Sequence, residues 1–198
     1  MAVSIEDIKK LKELTGVGLG DAKTALVEAD GDFDKALEEM RKKGLTKAEK
    51  KADREAREGV IDSYVHGGRI GVLVEVNCET DFVARPDGFK EFAHMISLQV
   101  ASMSPQYVSE EDIPAEEIER VRAEAKASDA LAGKPAEMVD KIIDGQVKKH
   151  FAEKVLLSQT YIMDDSKTVG EFLKETIAKT GENIVIRKFK RIELGVND

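Results

Sequence analysis

The sequence predicts an α+β protein, on three observations. Apolar residues recur at helical spacing through the first forty residues and again after Pro86; two alternating runs flank Gly67-Gly68; and a further alternating run follows Asn183. The 198 residues are enough for one good core or two modest ones. Hydrophobic residues make up 41% and charged residues 35%, a balance suited to a soluble protein with much helical surface. The net charge of −8 argues against an open nucleic-acid surface, so no direct nucleic-acid partner is expected. No basic segment followed by an apolar run opens the chain and no stretch approaches membrane-spanning length, which predicts a cytoplasmic protein with no membrane partner. The single cysteine, Cys78, excludes an internal disulfide and a multi-cysteine metal site. There is no phosphate-binding loop, no dinucleotide glycine fingerprint and no pair of histidines at metal spacing, so neither metal nor cofactor is expected.

Three short helices come first. Ser4 and Asp7 resemble a capping box, and Ile5, Ile8, Leu11 and Leu14 follow at helical spacing. Thr15-Gly16-Val17-Gly18 breaks this helix, Ala22, Ala25, Leu26 and Ala29 mark a second, and Asp30-Gly31 ends it. Asp32 caps a third, with Phe33, Ala36, Leu37 and Met40 on its inner face. From Lys42 to Glu58 the chain is dense in Lys, Arg, Ala and Glu with little periodicity, which reads as a solvated linker. The predicted division is a three-helix module with charged linker over residues 1–55 and an α+β body over 56–198.

Within the body, Gly67-Gly68 reads as a two-residue hairpin turn between strands 59–66 and 69–79. Such a turn sets Val65 opposite Ile70, Ser63 opposite Val72, Ile61 opposite Val74 and Gly59 opposite Val76, with this face toward the core and Cys78 sharing its parity. Tyr64, His66, Leu73, Glu75 and Asn77 fall on the other face. His66 is a weak candidate for a contact residue, since a lone turn histidine is more often solvent-exposed. After Pro86, a helix bears Phe89, Phe92, Ala93, Ile96 and Val100 on one stripe and Met95 and Leu98 on a second. Residues 114–131 and 135–151 form two helices turned by Ala132-Gly133-Lys134, with Ile118, Val121 and Ala125 facing Met138, Ile142 and Val147, a coiled-coil-like hairpin. Val155-Leu156-Leu157 and Tyr161-Ile162-Met163 read as extended. Asp164-Asp165 precedes or caps a turn. Thr168 caps a helix through Phe172, Leu173 and Ile177 that Gly181 ends, and residues 183–194 make a last strand that joins the hairpin.

The corner after the second strand holds Asp81 beside Phe82, and the residues alone leave two readings of the ring: a core residue closing sheet on helix, or a wedge held out for a partner. Glu75-Val76-Asn77-Cys78-Glu79-Thr80-Asp81-Phe82-Val83-Ala84-Arg85 resembles the signature of the bacterial elongation factor Ts family, in the short form with a single core unit. The run Leu11 to Leu26 is similar to the second signature of that family, with Gly20 where the family often carries another large apolar residue. The hairpin run His66 to Gly71 also resembles the family.

That resemblance implies a ubiquitin-associated-like fold for the N-terminal module, which docks on the GTPase domain of elongation factor Tu through Leu14, Leu19 and Lys23. It implies that Phe82, with Asp81 beside it and Thr80 and Val83 flanking, inserts near the magnesium site of that GTPase. The implied function is guanine nucleotide exchange, promoting GDP release from elongation factor Tu, with no covalent chemistry. The uncovered Met95 and Leu98 stripe, together with the single hairpin–helix unit, predicts a homodimer. Two readings compete: a plain binding adaptor, and a hydrolase built on Cys78, His66 and Asp81.

Overall fold

Residues 3–15, 17–127 and 136–196 are described by the structure, a computed structural model, with side chains described at all of these except 41, 43–47, 49, 136 and 137. Gly16 and the predicted turn Ala132-Gly133-Lys134 lie outside the described residues.

The N-terminal helices α1 (Ile5–Thr15), α2 (Leu19–Glu28) and α3 (Phe33–Glu49) follow the periodicity. Ser4 Oγ accepts from the Glu6 amide and Asp32 Oδ1 from that of Lys35, satisfying N–H groups that a first helical turn leaves without partners. Leu11, Ala22, Ala25, Leu26, Ala29, Ala36 and Met40 make the core of this unit. It is alanine-rich, so little apolar volume stabilises it.

The lysine-rich run is not wholly solvated. Helix α3 continues to Glu49, Ala48 is buried in the main core, and Ala56 is buried as well. Helix α3 packs on α8 (Val169–Thr180).

The body is built on the antiparallel strands β1 (Glu58–His66), β2 (Ile70–Cys78) and β5 (Ile184–Glu193), in the order β1-β2-β5, so the last strand joins the hairpin as predicted. The predicted register of β1 is off by one. His66 pairs with Ile70, Tyr64 with Val72, Asp62 with Val74 and Val60 with Val76. The loop is Gly67-Gly68-Arg69, closed by the Arg69 amide donating to His66 O, with both glycines at positive φ. A one-residue slip exchanges the two faces of a strand. Val60 and Tyr64 therefore pack on the core, while Ile61 and Val65 point to the outer face, 72% and 67% exposed. Gly59 is required at the other end of β1: its φ is +146°, and an added Cβ would lie 2.0 Å from Val76 O.

Strand β2 keeps its predicted parity, burying Val72, Val74, Val76 and Cys78. Against them lies α5 (Asp87–Met103), which buries Phe89, Phe92, Ala93, Ile96 and Val100. Its second stripe is not bare as predicted. Met95 is half-buried against the core, Leu98 is half-buried, and Gln99 is fully buried, with its side chain bonded to Gln159, Thr160 O and the Ile162 amide.

Helices α6 (Ala115–Lys126) and α7 (Ala136–Ala152) form the predicted antiparallel pair. Val121 is buried with Ile118 and Val147 packed nearby, and Arg122 reaches Asp144 at 2.8 Å across the pair. In α7 Ile143 and Phe151 are buried and Val147 packs as predicted, whereas Ile142 is half-buried and Met138 is exposed. Of Val155-Leu156-Leu157 only Val155 is extended, bridging Tyr107, because a 3₁₀ turn covers Leu156–Ser158. Only β3 (Thr160–Tyr161) is strand in the next predicted segment, and it turns back at Ile162-Met163 to pair with β4 (Asp164–Thr168). Thr168 and Glu171 make a full capping box at the start of α8, and Gly181 ends it in the left-handed conformation.

Candidate functional site: the corner after β2

Strand β2 ends at Cys78, and the chain then makes a single helical turn, α4 (Asp81–Ala84), before Pro86 opens α5. Thr80, extended at φ −131° and ψ 156°, leads into it, and its carbonyl accepts from the Val83 and Ala84 amides. Successive residues of a helix are about 100° apart around its axis, so Phe82 and Ala84 lie on opposite sides of this turn. Ala84 is buried and Val83 packs on the core. Phe82 is consequently directed outward, 79% exposed. Of the two sequence readings of the ring, burial in the core is the one the geometry rejects.

Asp81 lies on the same turn, its Oδ2 2.5 Å from an Arg85 guanidinium nitrogen, with the arginine largely exposed. An exposed pair of this kind contributes only about 0–1 kcal/mol. Cys78, fully buried, donates its thiol to Thr80 O at 3.1 Å. Burial first, and then the Glu182 carboxylate, push that thiol up to about 11. A thiol held protonated is a poor nucleophile. His66 stands at the opposite end of β2, exposed, with Nδ1 2.8 Å from Tyr64 Oη. The sheet thus keeps Cys78, His66 and Asp81 from forming one catalytic cluster.

Two carboxylates that were not among the predicted site residues, Glu79 of the signature run and Glu182, join the exit of β2 to the entry of β5. Glu182 accepts from the Thr80 amide (2.9 Å) and from Thr80 Oγ1 (2.6 Å). In the reverse direction, Glu79 accepts from the Asn183 amide at 2.6 Å, with Arg54 at 3.4 Å from the same oxygen. Arg187, the extra residue at the β2–β5 register shift, donates to Asn77 Oδ1 and Ala56 O, fixing the same end of the sheet to the segment before β1.

Leu14 and Leu19 are 54% and 52% exposed, so Leu19 does not fold back into its own bundle, and Lys23 is exposed. A groove of about 600 Å³ runs beside the corner, lined by Leu14, Phe82, Val83, Phe89, Met95 and Phe172 among others. It brings Leu14 of the first module and Phe82 and Val83 of the body to one surface. Leu19, Lys23 and His66 do not line it. Glu13, Glu91, Glu175 and Lys179 also border this groove.

A large exposed ring on an anchored corner, beside this groove, is the kind of surface that suits contact with another macromolecule. A family profile described as "Elongation factor TS" matches residues 5–176. The chain is 53% identical over 194 residues to the elongation factor Ts of Thermoanaerobacter sp. (strain X514), covering 98% of this chain and 95% of that one. It is likewise 53% identical over 196 residues to the elongation factor Ts of Thermotoga petrophila, covering 98% of both, and 50% identical over 194 residues to that of Syntrophomonas wolfei, covering 98% of this chain and 91% of that one. The chain belongs to the elongation factor Ts family, and is accordingly a nucleotide exchange factor of translation elongation and not an enzyme. Among the described residues no helix is long and apolar enough to cross a membrane.

Proposed function

We propose that this chain releases GDP from elongation factor Tu in the cytoplasm by pressing Phe82 against the GTPase domain near its magnesium ion. Asp81 makes a polar contact beside the ring, Thr80 and Val83 flank it, and Leu14, Leu19 and Lys23 of the N-terminal module dock on the same partner. The observation that carries this reading is the exposure of Phe82 on a turn whose opposite side is buried. The groove shared by Leu14 and Phe82 supports simultaneous use of module and body. His66, the weaker candidate, lies at the far end of the sheet from Phe82 and would make a contact apart from this corner.

Such a factor makes and breaks no covalent bond. Its physics is linkage: if its binding weakens GDP binding, GDP weakens its binding by the same factor. It works only through contacts that are better with the nucleotide-free partner than with the GDP-bound one. A magnesium ion bridging phosphates is a strong electrostatic hold on the nucleotide, so disturbing its surroundings releases GDP. The test is labelled-GDP release from elongation factor Tu with this chain at substoichiometric amount. Repeated turnover is expected; one release event per molecule of added chain marks an adaptor and overturns the proposal.

We further propose a homodimer, with its face moved from the Met95–Leu98 stripe to the outer side of the sheet. Ile61, Val65, Leu73 and Ile192 are all more than half exposed there, while Glu75 and Lys188 pair at 3.2 Å on the same face. Light scattering at micromolar concentration should give twice the chain mass, and a monomer mass ends this proposal. We also propose the division at about residue 55, with Ala48 of α3 contributing to the body core.

A further inference from the structure

A four-residue helix cannot orient itself. Helix formation begins with several residues fixed for one hydrogen bond, and the gain comes only with length. The turn that presents Phe82 therefore takes its direction from contacts outside it. Ala84 and Val83 supply apolar contacts underneath. The polar contact comes from a residue 102 positions away: one Glu182 oxygen accepts from the Thr80 amide and the other from its hydroxyl. Thr80 stands at the N-cap of α4 yet makes no side-chain bond to the helix, because its hydroxyl is turned to Glu182 instead.

Glu182 is itself held in place. Next to it, Asn183 is buried, its amide group donating to Ala52 O at 3.2 Å and to Arg54 O at 2.7 Å, and its backbone N–H to Glu79. On the other side, the Lys51 ammonium bonds Gly181 O, and Gly181 closes α8. The carboxylate thus projects from a turn clamped on both sides by residues 51–54, and grips Thr80, the residue immediately before α4, with two bonds of the strong, charge-assisted kind.

Resting on the reading that Phe82 is the exchange wedge, we infer that Glu182 is a positioning residue for exchange, setting the angle at which α4 holds the ring. It touches neither GDP nor the magnesium region and acts through Thr80. Because binding through Leu14 and Leu19 does not pass through this clasp, loss of the clasp affects the release rate at saturation more than the concentration needed to reach it.

The experiment is a double-mutant cycle on the full chain, reading labelled-GDP release at saturating factor, the half-saturating concentration and the melting temperature. Glu182→Gln keeps the size of the side chain and removes its charge: Oε1 can still accept from the Thr80 N–H while the N–H₂ donates to Thr80 Oγ1, so both bonds persist without charge assistance. It is expected to slow release about tenfold, the difference between charge-assisted and neutral bonding at the two contacts, with half-saturation unchanged. Thr80→Val, which removes only the hydroxyl bond, should slow release to a similar extent, while Thr80→Ser should restore it. In a Phe82→Ala background Glu182→Gln should have no further effect, which a general structural role would not reproduce. Wild-type release by a folded Glu182→Gln chain, or an equal slowing with and without the ring, overturns the inference. If Glu182→Gln fails to fold, Thr80→Val decides by the same criteria. Wild-type release by Phe82→Ala alone is a different failure: it removes the wedge reading itself, and this inference with it.

Discussion

Two neighbouring helices divide the work of this protein. Helix α5 has 17 residues and buries Phe89, Phe92, Ile96 and Val100 against the sheet, so its aromatic rings contribute to the stability of the body. Helix α4 has four residues and turns its ring to solvent. The same side chain, phenylalanine, does opposite things ten positions apart. An exposed ring weakens solubility and contributes nothing to the core, so it is tolerated only where other contacts hold the backbone. Here Ala84 and Val83 hold the turn from below and Glu182 from its entry. The fold and the contact surface can therefore be altered independently, and the comparison can be tested on that point.

The largest expected effect is the contrast between the two rings. Phe92→Ala should cost about 3–5 kcal/mol, a large share of the stability of a domain, and lower the melting temperature markedly. Phe82→Ala should leave melting nearly unaltered, still bind elongation factor Tu, and lose most GDP release. A melting temperature lowered equally by both would erase the distinction between α4 and α5. Next in size is the groove. Leu14→Ala combined with Leu19→Ala removes two exposed apolar side chains and should weaken binding to the partner about tenfold, at roughly 1.4 kcal/mol, without a change in melting. A titration of the release rate against factor concentration measures this as a shift in half-saturation.

Asp81→Ala should be milder than loss of the ring. Its bridge to Arg85 is exposed, so stability should change by no more than about 1 kcal/mol and release should slow less than in Phe82→Ala. An Asp81→Ala variant slower than Phe82→Ala would make the carboxylate, and not the ring, the principal group. The smallest effect concerns the buried face beneath the corner. With its thiol raised to about 11, Cys78 should resist thiol reagents at pH 8 in the native chain and react promptly in denaturant. The sign of the linked effect follows: a thiol whose folded value lies above its unfolded one supports stability below the unfolded value, near 9, and that support is lost as pH rises toward 11. Replacing Cys78 by alanine should remove this alkaline component from a series of melts.

Much of this was legible in the sequence because the signals were local. Helix periodicity over α1, α2, α5 and α8, the caps at Asp32 and Thr168 and the stop at Gly181 depend on residues within a turn or two of one another, and each appears where predicted. The alternation of β2 defined its buried face for the same reason. The β1 register was not determined in this way. Val60 and Ile61, and then Tyr64 and Val65, put apolar residues on both faces, so the pattern fits either parity, and the three-residue loop decided between them. Residue chemistry also left the role of Phe82 open, since a ring at a corner suits a core and a contact equally. What resolved its exposure was the one-turn helix that sets it opposite Ala84. Glu182 had no signal at all: a carboxylate just past a helix end is ordinary in sequence, and only the antiparallel pairing of β2 with β5 carries it across 102 positions to Thr80. Local free energies are written in neighbouring residues, whereas the direction of an exposed side chain depends on distant contacts that exist only once the chain has closed.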